Sequence, residues 1–230
     1  TSVGLAQSDE EMKEWLTSNK PNWGSKWQAG DVKYKDLTGE GEVTPGASTL
    51  ENHGDLKRIG NNSPRYRVGL NLDAAWKGID FSIFFQGVLK RDWMFDAGDP
   101  YFWGAGSGMW QAACFEEHMD YWTPENTDAY YPKPYFDETK NQQAQDAYMQ
   151  KASYLRCKNI QLGYTLPTHI TEKAGISNCR IYLSCDNLFT ITGLSSVYDP
   201  EVFGSYDGYG TSGKTYPLQR TISVGVNLNF

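Results

Sequence analysis

The sequence predicts an all-β chain of about five antiparallel strands, on three observations. Five segments alternate apolar and polar side chains with a period of two, as strands with two unlike faces do. The connections between them alternate long and short. Aromatic residues make up 14% of the 230 residues while mean hydropathy is −0.60, and apolar runs are as short as Ile83-Phe84-Phe85. A membrane helix needs roughly 20 apolar residues, so none is encoded; strands that cross a membrane escape such averages.

After a long opening segment (1–64), the first strand is predicted over Arg65 to Trp76. Tyr66, Val68, Leu70, Leu72, Ala74 and Trp76 oppose Arg65, Arg67, Gly69, Asn71, Asp73 and Ala75. A tight turn at Lys77-Gly78 leads into Ile79, Phe81, Ile83 and Phe85, opposed by Asp80, Ser82, Phe84 and Gln86, which reads as a hairpin. A long loop (about 90–152) precedes a strand from Ser153 to Leu166. There Arg156 and Lys158 share parity with Ile160, Leu162 and Tyr164, so either they lie beyond the apolar band or a bulge near Lys158 switches the faces. A moderate turn (167–178) leads to a strand over Cys179 to Phe189, and a loop (190–218) to the clearest strand, Thr221 to Phe230. In that strand Ile222, Val224, Val226, Leu228 and Phe230 oppose Thr221, Ser223, Gly225, Asn227 and Asn229.

Alternating long and short connections suit a barrel in an outer membrane, with short periplasmic turns, long external loops and Phe230 as the terminal lipid-facing aromatic. Five strands cannot close such a barrel, and an open edge in lipid leaves backbone groups unpaired, so this reading makes the chain part of something larger. A soluble sandwich with one wet face fits the same alternation equally well.

Composition narrows the partners. With 28 acidic against 21 basic residues and a formal charge of −7, no broad footprint for nucleic acid exists. Thr1 opens without a charged start or an apolar core, so no signal peptide is expected and the chain reads as a mature protein or a fragment. Cys114, Cys157, Cys179 and Cys185 form no CxxC. Cys179 and Cys185, six apart in an extended run, stand about 20 Å from each other, too far to pair, so the cysteines read as small apolar fillers, with one bridge or a reactive thiol as the alternative.

Several stretches imitate chemistry. Gly208 to Thr215 matches the phosphate-loop pattern GxxxxGK[ST], but Pro217 and a period-two segment follow where a helix is required, so a flexible external loop is expected. Asp36-Leu-Thr38-Gly39-Glu40-Gly41-Glu42 resembles the start of a calcium loop, although Ala47 stands where the bidentate Glu belongs; Asp36, Glu40 and Asp55 are the candidate ligands. His53, His118 and His169 have no metal-ligand spacing, and with no GxSxG elbow or identifiable acid/base pair no enzyme is expected. The loop from Arg91 to Pro134 interleaves aromatics with Asp92, Asp96 and Asp99. Rings beside carboxylates suit the C–H faces and hydroxyls of sugars, and make Trp93, Asp99, Trp103 and Trp110 candidate cargo contacts; the same rings also suit loop packing or a partner surface.

Seven blocks, in order, decide between barrel and sandwich: AGDVKYKDLTGEGEV (Ala29 to Val43), GDLKRIGNNSPRYRVGLNLDAAWKGIDFSIFFQGVLKRD (Gly54 to Asp92), YWTPENTDAYYP (Tyr121 to Pro132), SYLRCKNIQLGYTLP (Ser153 to Pro167), RIYLSCDNLFTIT (Arg180 to Thr192), YDPE (Tyr198 to Glu201) and YPLQRTISVGVNLNF (Tyr216 to Phe230). Together they resemble the C-terminal part of SusC/RagA-type TonB-dependent outer-membrane transporters. Departures include Ala29 for Pro, Thr38 for Asn, Glu40 for Asp, Cys157 for an aliphatic residue and Val197 for Gly.

The resemblance implies the last five or so strands of a large antiparallel transmembrane β-barrel with long external loops, of about 22 strands in the intact protein. On this reading residues 1–230 are a C-terminal portion, with the plug domain and earlier strands outside the chain. It further implies active import at the cell outer membrane with a SusD-like lipoprotein lid, the TonB complex acting through the N-terminal region, and contact with lipid. The expected cargo is an oligosaccharide ahead of an oligopeptide, with no cofactor beyond a possible calcium. A surface glycan-binding or adhesion module is the alternative.

Overall fold

A computed structural model describes residues 1–107, 112–136, 138–203 and 215–230. In chain order its elements are β1 (Ser2–Leu5), α1 (Asp9–Ser18), β2 (Lys20–Pro21), β3 (Val32–Tyr34), β4 (Glu42–Val43), β5 (Arg65–Trp76), β6 (Ile79–Lys90), β7 (Asp92–Trp93), β8 (Gln150–Thr165), α2 (Thr168–Thr171), β9 (Asn178–Asp186), β10 (Thr190–Gly193) and β11 (Thr221–Asn229). They divide into two compact units, a strand unit (Asn62–Asp92, Lys151–Val202, Tyr216–Phe230) and a loop unit (Thr1–Asn61, Trp93–Gln150, Phe203–Thr215).

The strand unit is an antiparallel sheet in the order β11-β9-β8-β6-β5. The hairpin stands as expected: Trp76 faces Ile79, and Lys77 and Gly78 both take positive φ (47° and 86°), the twist that a two-residue hairpin turn requires. Cross-strand register carries one apolar row through the sheet. Leu72 faces Ile83, Ile83 faces Ile160, Ile160 faces Cys185, and Cys185 faces Ile222. A second row runs Ala74, Phe81, Leu162, Leu183 and Val224. Much of these rows is open: Leu72, Leu162, Leu183 and Ile222 are exposed and Val224 is 75% exposed, whereas Cys185 is buried. The opposite face is polar, with Asp73 opposite Ser82, Ser82 opposite Gln161, Gln161 opposite Ser184, and Ser184 opposite Ser223.

The Arg156 ambiguity resolves as a bulge. Phe84 faces Asn159 but Phe85 faces Cys157, so Lys158 is the extra residue, and the faces switch there. Arg156 thereby lies opposite Gln86 on the polar face. The strand expected to run to Phe189 ends instead at Asp186. Asn187 turns the chain at φ 51°, and Thr190–Gly193 returns to pair with β8.

In the loop unit β1 pairs antiparallel with β3 and β2 parallel with β4. Helix α1, absent from the expected elements, starts where Ser8 accepts the Glu11 N–H and the Glu11 carboxylate accepts the Gln7 N–H, a capping box displaced by one residue. The signature Ser-x-x-Glu was legible at positions 8 and 11. Met12, Val32, Tyr34, Phe95 and Phe102 form buried parts of this unit. All four cysteines are free, Cys157 and Cys185 buried and Cys114 exposed. Gly208 to Lys214 lie outside the described residues, and the chain continues through Pro217 into β11.

Candidate functional site

Aromatic rings of the loop unit pack on one another. Phe95 and Phe102 stack with centroids 4.6 Å apart, and Trp103 meets Phe102 and Tyr148 edge-on at 4.8 and 4.9 Å, arrangements that the ring quadrupole favours. Trp103 donates its indole N–H to the Asp96 carbonyl at 3.0 Å and is 6% exposed. Asp99 is buried too. Its Oδ1 accepts the N–H groups of Tyr101 and Phe102 at 3.1 and 2.9 Å. Of the candidate cargo contacts, Asp99 therefore caps a turn and Trp103 packs among rings, the loop-packing alternative, with satisfied backbone donors and ring contacts holding both. Trp93 is half-buried with its ring 4.9 Å from Phe203. Trp110 lies outside the described residues. Trp103 does border a cavity of about 250 Å³, together with Tyr121, Tyr131, Tyr135 and His118. Burial pushes the phenols of Tyr131 and Tyr135 well above their ordinary range, so both stay neutral.

Of the candidate calcium ligands Asp36, Glu40 and Asp55, the two aspartates accept hydrogen bonds from backbone N–H groups of the same loop. Asp36 accepts the N–H of Gly39 at 2.6 Å and of Gly41 at 2.8 Å, and these hold its carboxyl below the usual carboxylate range. Asp55 accepts the N–H groups of Leu37 at 2.6 Å, Thr38 at 3.2 Å and Thr44 at 2.8 Å. Among the described residues no three His, Cys, Asp or Glu side chains gather as a ligand set. Asp36 and Asp55 build the turn itself.

Two polar clusters went unread in the sequence. Fully buried Lys140 lies 2.9 Å from Asp31 and 3.2 Å from Glu138, donates to the carbonyls of Ser25 and Lys26, and sits 4.1 Å over the Tyr135 ring. Asn141 joins in, donating to Asp31 at 2.9 Å and accepting the Val32 N–H at 3.0 Å, while the Tyr34 hydroxyl donates to the Lys140 carbonyl at 2.7 Å. The Gly-Asp-Val-Lys-Tyr run at positions 30–34 therefore serves this knot. In the strand unit, Arg156 reaches Asp199 and Glu201 at 2.8 Å each and Thr190 at 2.7 Å, and Lys158 reaches Glu201 at 3.1 Å. Two charges on an apolar parity, followed some 43 residues later by Asp-Pro-Glu, were the signal.

No protein-family model matches the chain. It is 29% identical over 208 residues to TonB-dependent receptor P3 of Formosa agariphila, covering 87% of this chain and 19% of that receptor. Receptor P26 of the same organism is 27% identical over 209 residues, covering 87% of this chain and 20% of P26. The chain thus spans about one fifth of the curated relatives it matches. Among solved structures it is similar to the RagAB peptide importer in the open-open state, with TM-score 0.55, 27% identity, and 73% of this chain against 17% of that one. The RagAB peptide transporter gives TM-score 0.52, 29% identity, and 70% against 17%. These relatives are receptors and importers, not enzymes. The ordered sequence blocks, the five-stranded antiparallel sheet with an exposed apolar face and these likenesses agree: the chain is similar to a barrel portion of TonB-dependent receptors and of the RagAB importer.

Proposed function

We propose that the intact protein imports a nutrient oligomer through the outer membrane, with TonB energy and a SusD-like lipoprotein lid. The observation that carries this is the sheet itself: an exposed apolar face continuous over β5, β6, β8, β9 and β11, backed by a polar face, in a chain similar to TonB-dependent receptors. The apolar rows meet lipid, and the polar side, including Ser223, Asn227 and Asn229, lines the lumen. No part of this work needs covalent chemistry.

For cargo we read an oligopeptide ahead of an oligosaccharide, reversing the expectation from composition. The sugar argument rested on rings interleaved with carboxylates between Arg91 and Pro134, and of these Trp103 and Asp99 are buried. The peptide reading is supported by the similar solved structures, described as peptide importers. Interleaved aromatics keep the oligosaccharide as the second reading. Uptake of labelled peptides and oligosaccharides by cells with and without the TonB system is the test. TonB-dependent peptide uptake is expected; surface retention without uptake would return the protein to the adhesion class.

A further inference from the structure

We propose that the polar face of the strand unit holds a binding site for a carboxylate, built from Arg67, Gln86 and Tyr154. The three belong to two neighbouring cross-strand rows. Arg67 faces Val88 and Val88 faces Tyr154; in the next row Gly69 faces Gln86 and Gln86 faces Arg156. Alternation along each strand puts these six positions on one face. Gly69 contributes no side chain there, and beside it opens a cavity of about 410 Å³, bordered by Arg67, Gln86, Val88 and Tyr154. That volume lies within the roughly 300–1,000 Å³ of small-molecule sites.

Its polar groups are donors without acceptors. Arg67 is exposed and has no ion pair among the described residues, because the carboxylates at this end of the face are engaged elsewhere. Asp199 pairs with Arg156, and Glu201, which also borders the cavity, pairs with Arg156 and Lys158. Tyr154 is 8% exposed, but its hydroxyl is not closed off from solvent and no described residue hydrogen-bonds to it. The half-buried Gln86 side chain likewise has no partner among the described residues. At the rim stands Arg91, whose Nε donates to the Asn62 carbonyl at 3.1 Å. Burial pulls the Arg91 guanidinium below its ordinary pKa; the Tyr154 phenol opposes this, and the like charge of Arg67 adds to it, so an anion at the cavity relieves a repulsion.

The donor set then sorts the ligands. Two guanidinium groups repel a cation, and an apolar group would desolvate the donors without pairing them. A carboxylate offers about four lone-pair sites: the planar Arg67 fork takes two, which leaves one each for the Gln86 amide and the Tyr154 O–H. A phosphate dianion has a third oxygen to satisfy and meets twice the repulsion from Glu201. The source of the carboxylate rests on the import reading above. With the polar face toward the lumen the group arrives on cargo, and acidic oligopeptides are the class selected.

Arginine-selective labelling with phenylglyoxal on the intact protein, read at Arg67 by mass spectrometry, tests this. The probes are the capped peptides acetyl-Ala-Asp-Ala-amide and acetyl-Ala-Asn-Ala-amide, trigalacturonate and inorganic phosphate. The Asp peptide is expected to protect Arg67 at about tenfold lower concentration than the Asn peptide, the worth of one charge-assisted hydrogen bond. Gly69→Leu fills the space while keeping Arg67, and should abolish that difference; Gly69→Ala, whose Cβ meets the Phe84 ring at an ordinary 3.5 Å, should keep it and so report an intact sheet. Equal protection by the two peptides, or better protection by phosphate than by the Asp peptide, would overturn the carboxylate site. Better protection by trigalacturonate would support the site and make the carboxylate that of a sugar acid. TonB-dependent uptake of the peptides with Arg67 unprotected by any acid would overturn the site and leave import standing, whereas protection without uptake would support the site and overturn import.

Discussion

Along β5, β6, β8, β9 and β11 a side chain's surroundings follow from its parity, whereas in residues 25–34 and 138–145 they follow from particular partners. Val224 and Leu183 can be assigned to the apolar face by counting, and any apolar residue of similar size would serve there. Lys140 cannot be assigned by counting. It is buried among Asp31, Glu138, two carbonyls and a tyrosine ring, more than 100 residues apart in part, and only a cation on a long stem fits. The sheet is tolerant of detail and intolerant of polarity, and the loop knot is the reverse.

The largest expected effect lies in the knot. Lys140→Met leaves the Asp31 carboxylate buried without its counter-ion, at a cost of about 3–5 kcal/mol to that segment. In the intact protein the Val32 amide, which donates to Asn141, should exchange its hydrogen correspondingly faster. Adding Asp31→Asn should recover most of the loss, because the fully buried charge is then gone and only the part-exposed Glu138 is left without its counter-ion. Equal exchange in both variants would break the contrast, since the knot would then not depend on its ion pair.

The sheet is challenged by polarity. Val224→Arg is expected to cost about 2–4 kcal/mol in a membrane refolding assay if that strand spans mid-bilayer, while Ser223→Arg on the other parity should be mild. The rows run through Leu183 and Ser184 in the neighbouring strand, so the two substitutions probe opposite faces one residue apart. Equal tolerance would remove the assignment of faces.

This contrast also explains what was legible beforehand. Strand positions were readable because period two is local: Arg65–Trp76 and the Lys77-Gly78 turn matched to the residue. Asp99 and Trp103 were noticed for their chemistry, but their use was not readable. An Asp that caps the turn at Tyr101 and Phe102 has the composition of one that binds cargo. Asp36 was ambiguous in the same way, because an oxygen-rich glycine turn can serve a cation as well as its own N–H groups. The Lys140 knot left no local trace at all, since its partners come from distant stretches that no periodicity links.

Arg156 joins the two regimes and gives the smallest and sharpest prediction. It sits within β8, yet the bulge at Lys158 turns it to the polar face, and from there it behaves like a knot residue, 4% exposed and tied to Asp199 and Glu201. Burial pushes the Asp199 carboxyl up, but the N–H of Glu201, the Arg156 guanidinium and the N–H of Leu218 more than offset this, so its pKa lies below the ordinary aspartate value. A carboxylate whose folded pKa is lowered contributes its stability above the unfolded value of about 3.9 and loses it as pH falls through the folded value. The Glu201 and Leu218 amides, both donors to Asp199, should therefore stay protected at neutral pH and open below about pH 3.9 once exchange is corrected for intrinsic rates. Asp199→Asn should weaken that protection by about 1.5–3 kcal/mol at neutral pH and flatten its acid dependence, because the neutral amide keeps an acceptor but no charge. Protection that ignored both the substitution and the pH would mean that the segment after Leu194 is held by packing alone, and that parity, not partner, governs Arg156 as well.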